Sequence, residues 1–182
     1  HDRLFPCYVG LPHATDELGE PEDFAADVSR RHGAVRLFPK AHGYCLSEWA
    51  MGRTLSALAD AGVPVLLELA QLDWNDLAEM LRSHPRLHVI VLQTSYRLNR
   101  YIFPLFEQFD NLHLETCTYQ IMRGIEDVSR RFGPERLVFG TGLPLLDGGG
   151  PIAQVMYAEL PEASKRLIAG DTLAKLLGVE DW

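Results

Sequence analysis

The chain has 182 residues, with 17 Lys and Arg against 25 Asp and Glu, a formal net charge of −8 and 47% hydrophobic residues. That length and composition fit one globular domain with a sizeable core, and the acidic balance, with no Lys/Arg run, argues against a nucleic-acid groove. No stretch approaches the ~20 apolar residues of a membrane-spanning helix, and Cys7, Cys45 and Cys117 are too scattered for a disulfide framework or a Cys-based zinc site, so a reducing cytoplasm is the expected location.

In chain order, "CYVGL" (7–11) reads as a short buried strand and "GAVRLFP" (33–39) as a second, closed by Pro39. "SEWAMGRTLSALADAG" (47–62) has apolar residues at helical spacing, with Ser47 as N-cap and Gly62 as stop. "VPVLLELA" (63–70) is a strand, and "DWNDLAEMLRSHP" (73–85) is a helix capped by Asp73 and ended before Pro85. "LHVIVLQ" (87–93) is a near-continuous aliphatic run, as expected of a strand buried on both faces. "RLNRYIFPLFEQFD" (97–110) is helical, with Pro104 at its start or kinking it, and "NLHLETC" (111–117) is a strand. "IEDVSRRFGP" (125–134) ends a helix at Gly133, and "RLVFG" (136–140) is a strand. Helices over 151–160 and 161–178 close the chain.

Strands at 7–11, 34–38, 64–69, 88–92, 111–116 and 137–140 alternating with helices predict right-handed βαβ units around a parallel sheet. Two architectures fit. Strand count and length favour a doubly wound open sheet, since a (β/α)8 barrel takes ~250 residues. The opening "HDRLFPCYVGLP", which has no initiator Met and runs straight into a strand, favours a barrel whose first two strands are absent from this chain.

"RRFGPERLVFGTGLP", "GGGPIAQVMYAEL" and "KRLIAGDTLAKLLG" then resemble the C-terminal end of the amidohydrolase-related TIM barrels, the group that includes aminocarboxymuconate-semialdehyde decarboxylase-like proteins. "GAVRLFP", "GVPVLLEL", "HPRLHVIVLQ" and "FDNLHLETC" look like the fourth to seventh strands of that family, and the resemblance runs from about Gly33 onward. It implies an α/β fold, a parallel TIM barrel of the amidohydrolase type lacking its first two strands in this chain, with residues 1–182 as a single partial domain. It also implies a divalent metal at the mouth. The ligands would be a His-x-His on the first strand, a His on the fifth, a His on the sixth in some members, and an Asp after the last. Metal lowers the pKa of a bound water and a carboxylate beside it takes the proton.

Carried over residue by residue, the Asp position falls on Gly142, the fifth-strand His on Glu68 and the sixth-strand His on Gln93. The first-strand pair has no counterpart here. The expectation is a degenerate metal centre with no resident cofactor, and a mouth that binds a small, anionic or carboxylate-bearing ligand. Glu68, at the end of an apolar strand, is the expected proton-transfer group; a structural ion pair with an Arg is its competing reading.

Other residues place themselves on the same rim. Lys40, His42 and Tyr44 follow the second strand and line a mouth loop or lie in solvent. Gln93 hydrogen-bonds a ligand or ties down the neighbouring loop. Strand alternation puts Leu114 and Thr116 inside and His113 and Glu115 toward the helices, an assignment that a slip of one residue reverses. Thr141, Gly148 and Gly149 lie on the last loop, whose glycine amides precede a helix start and suit a phosphate or merely clear a turn. Arg97, Arg100 and Arg123 are clamp candidates or surface charges. The seven histidines, His1, His13, His32, His42, His84, His88 and His113, include no H-x-H or H-x-x-x-H pair.

Two further functional readings stay open. One is an active metal-dependent hydrolase or decarboxylase, acting on a C–N or C–C bond, that draws its zinc or similar ion from an absent His-x-His strand plus Glu68. The other is a non-catalytic scaffold. A barrel with open edges is costly in water, so a homodimer or an N-terminal segment is expected to complete it.

Overall fold

The computed structural model describes residues 4–179, so His1 lies outside the described residues. Six strands, β1 (Cys7–Gly10), β2 (Ala34–Leu37), β3 (Val65–Glu68), β4 (Val89–Leu92), β5 (Leu112–Glu115) and β6 (Leu137–Val138), form one parallel sheet in the order 1-2-3-4-5-6. Each strand pairs only with its sequence neighbours. A doubly wound sheet would reverse its order at a switch point; this one does not, so the open-sheet alternative is ruled out and the wall is that of a (β/α) barrel.

The connections carry helices α1 (Pro21–Arg30), α2 (Pro39–His42), α3 (Glu48–Asp60), α4 (Trp74–Ser83), α5 (Asn99–Gln108), α6 (Gly124–Phe132), α7 (Gly149–Met156), α8 (Glu162–Arg166) and α9 (Thr172–Leu176). The sequence reading has no helix between the first two strands, yet α1 begins with Pro21, carries Glu22 and Asp23 in its first turn, and buries Ala25 and Val28. The expected helix over 161–178 is interrupted by a π turn at Leu167–Asp171. Asp73 caps α4 as expected, accepting from the Asn75 N–H at 2.8 Å. Ser47 occupies the N-cap of α3, but its side chain makes no capping bond. Among the described residues, no helix is long and apolar enough to cross a membrane.

Alternation along the strands sorts side chains onto two faces. Val35, Leu37, Val65, Leu67, Val89, Val91, Leu112, Leu114 and Leu137 are all 1% exposed or less and pack beneath the helices, against Leu55, Leu58, Leu77, Leu81, Ile102 and Val128. The intervening residues line the concave face: Cys7, Ala34, Leu66, Ile90, Leu92, Glu115 and Val138 share one cavity, and Arg36, Glu68 and His113 fall in the same alternation. At the end where the strands begin, Arg136 is 6% exposed and donates to the carbonyls of Phe109, Leu112 and Phe106 and to Asp110. Asn111 donates to the carbonyls of Leu81, His84 and Leu87. These contacts pair buried backbone groups that neither helix nor strand satisfies, and they hold the far end of the barrel wall.

Candidate functional site at the mouth of the barrel wall

Glu68 and Arg36 are carried by adjacent strands on the concave face. The Arg36 guanidinium forms an ion pair with the Glu68 carboxylate and lies 5.0 Å over the Phe38 ring. The Arg36 Nε is buried and finds no acceptor. Glu68 thus has an Arg as its ion-pair partner on the neighbouring strand.

Glu115 lies on the concave face, which overturns its assignment to the helix layer. The register of β4 and β5 pairs Ile90 with His113 and Val91 with Leu114, so His113 and Glu115 face inward while Leu114 enters the core. Glu115 is 8% exposed. Its Oε1 accepts from the Cys117 N–H at 2.8 Å, and its Oε2 accepts from the Cys117 thiol at 2.9 Å and the Gln93 N–H at 3.3 Å. Burial first, and the Glu115 carboxylate second, push the Cys117 thiol up to about 12, so it stays protonated and donates.

The remaining candidates divide between the rim and the loops. Lys40 sits on the single turn of α2 and donates to the carbonyls of Ala70 and Leu72 at 3.1 and 3.0 Å, tying α2 to the loop after β3. His42 is exposed, its ring 5.3 Å from that of Phe38. The Tyr44 hydroxyl donates to the Gly10 carbonyl at 3.1 Å, and burial pushes it up to about 12. Gln93 has an exposed side chain and a left-handed backbone, φ 55°. Thr116 is fully buried, and its Oγ1 accepts from the Gly140 N–H at 3.4 Å, so it braces the last loop from below. Thr141 accepts from the Leu143 N–H at 3.3 Å. Gly148 is buried against Thr141, and Gly149 opens α7. Arg97 and Arg100 are exposed, and Arg123 pairs with Glu159 at 3.0 Å. The structure brings Gln93 to Glu115, Thr116 to Gly140 and Lys40 to the loop after β3; His42 and the last-loop glycines stay with their own loops.

Gly142, at the position expected to carry the Asp, has φ 69°, and a Cβ there would meet Leu146 Cδ1 at 2.7 Å. The loop is built around a residue without a side chain. Among the described residues, no group of three or more His, Cys, Asp and Glu could hold a metal ion. An ion-paired carboxylate, an exposed amide and a glycine do not make the donor set a divalent ion takes.

Arg36 and Glu115 were missed by sequence reasoning. The signal for Arg36 was its place inside an apolar strand run; Glu115 carried the same signal, but the face assignment was one residue out of register.

Residues 8–179 match the sequence model described as amidohydrolase. Among solved structures, an uncharacterized TIM-barrel protein from Bordetella bronchiseptica superimposes with a TM-score of 0.75 at 17% identity, over 96% of this chain and 66% of that one. The 5-carboxyvanillate decarboxylase of Sphingomonas paucimobilis superimposes with a TM-score of 0.65 at 12% identity, over 88% of this chain and 62% of that one. The chain thus spans just under two thirds of the length of each, and likeness at these identities establishes the fold. No curated protein matches it.

Proposed function

The chain belongs to the amidohydrolase family, and on that premise we propose that it forms the wall of a barrel whose metal centre has degenerated and whose mouth binds a small anionic ligand. The observation that carries this reading is the state of the three expected ligand positions: Glu68 paired with Arg36, Gln93 exposed, and Gly142 in a left-handed turn. A guanidinium beside the one carboxylate repels a cation and attracts an anion. The Arg36 side chain keeps about a third of its surface exposed, so its guanidinium can meet a ligand carboxylate. Glu68 is the group to which the proposal assigns proton transfer. A ligand that takes over the guanidinium leaves the Glu68 carboxylate facing the bound molecule, where a positioned carboxylate acts as a general base.

Calorimetric titration with hexanoate in excess chelator tests this. The expected result is binding that survives chelation and weakens about 10-fold or more in the double variant Arg36→Met with Glu68→Gln, which leaves no unpaired charge behind. Binding that vanishes with chelator, or that ignores the double variant, would refute the reading.

A further inference from the structure

We infer that Glu115 forms a second binding pole on the concave face, which takes a primary ammonium group carried on a small apolar body. The inference stands on the surroundings of Glu115 and depends neither on Arg36 nor on the state of the metal centre.

The fold holds this carboxylate in one pose by independent means. Gln93 adopts a positive φ that non-glycine residues rarely take, and its N–H reaches Oε2. Gly140 leaves the space the carboxylate needs: a Cβ there would lie 1.8 Å from Oε1 and 2.5 Å from Cδ. Cys117 contributes both its N–H and its thiol. A carboxylate that is 8% exposed is ordinarily paired with a cation. Among the described residues, Glu115 takes part in no ion pair.

Glu115 lines a cavity of about 320 Å³ whose walls include Leu4, Phe5, Leu66, Ile90, Leu92 and Val138. That volume lies at the small end of ligand sites, and the lining selects an alkyl or aryl body. Lone-pair arithmetic selects the head group. A carboxylate offers roughly four acceptor positions, and three donors already occupy Glu115. The remaining position takes one of the three N–H groups of an ammonium, whose positive charge matches the carboxylate. It does not suit a bidentate guanidinium, nor a divalent ion that needs several oxygens.

The probes are n-hexylammonium, n-hexanol and hexanoate, titrated into the full chain at pH 7. We expect hexylammonium to bind about 10-fold more tightly than hexanol. Glu115→Gln should remove that preference and leave hexanol affinity within about 2-fold, because the apolar walls stay. Should Glu115→Gln fail to fold, Glu115→Asp withdraws the carboxylate by one methylene, keeps its charge, and must lower the preference. Equal binding of hexylammonium and hexanol by the wild type, or a preference that survives at Glu115→Gln or Glu115→Asp, would overturn the inference. Hexanoate reports on the Arg36 pole separately, so either pole can fail alone.

Discussion

Leu66 and Leu67 are chain neighbours on β3 with opposite surroundings. Leu67 is fully buried beneath the helices, whereas Leu66 is half-buried and lines the concave cavity. The same division runs across the whole sheet. The helix-facing positions are aliphatic and sealed; the concave positions mix Leu, Ile and Val with Arg36, Glu68, His113 and Glu115. One set of backbone strands thus carries two kinds of side chain at alternate positions, a sealed aliphatic set on one face and a set that includes charged and polar groups on the other.

The sharpest way to break this comparison is to truncate both leucines. Leu67→Ala should cost about 3–4 kcal/mol, the range for a sealed core site, and Leu66→Ala about 1 kcal/mol, because it already borders a cavity. Urea unfolding reads both, and equal losses would erase the distinction between the faces.

Acidification should act through the concave face next. His113 donates from Nδ1 to the Glu135 carbonyl at 2.8 Å and accepts at Nε2 from the His88 Nδ1–H at 3.0 Å. Burial lowers both pKa values, that of His113 to about 4, and the charges of Arg136 and Lys175 add to the effect. The unfolded chain therefore binds protons more readily. Stability is complete above the ordinary value of 6.5 and falls as pH drops toward 4, by about 2–3 kcal/mol. Urea midpoints at pH 7 and pH 4.5 check this, with His113→Gln expected to flatten the dependence.

Gly140→Ala sharpens the comparison at the mouth. Its Cβ would collide with the Glu115 carboxylate, a cost of about 2 kcal/mol, typical of overpacking. In the background of Glu115→Ala the cost should fall below about 1 kcal/mol. Additive effects in this double-mutant cycle would show that the two residues do not meet. The smallest effect is expected at the rim: Gly142→Asp, which restores the expected residue type in a left-handed turn, should cost about 1 kcal/mol. Calorimetry with zinc should detect no gain in metal binding.

Much of the sealed face was legible in the sequence. The aliphatic runs around Val65–Leu67 and Val89–Val91 mark buried parallel strands, and the motif from Arg130 to Pro144 indicated the barrel before any geometry. The concave face was harder to read for a physical reason. Its side chains have period 2, so an error of one residue turns His113 and Glu115 outward; "NLHLETC" alternates Leu112 and Leu114 with His113 and Glu115, and the alternation alone does not say which set faces the helices. The donors to Glu115 include the backbone N–H groups of Gln93 and Cys117, which carry no sequence signature. The Arg36–Glu68 pair joins residues 32 apart in sequence, and only the in-register pairing of β2 with β3 brings their strands together. The helix α1 was readable after all, from a proline followed by two acids.

The most direct test of a lost metal centre is the metal content of the protein purified without chelator after zinc or manganese supplementation, with the intact mass recorded on the same sample. The account predicts metal far below stoichiometric and unaffected by Glu68→Gln. Roughly one ion per chain, lost on Glu68→Gln, would contradict it and return this carboxylate to a working metal site.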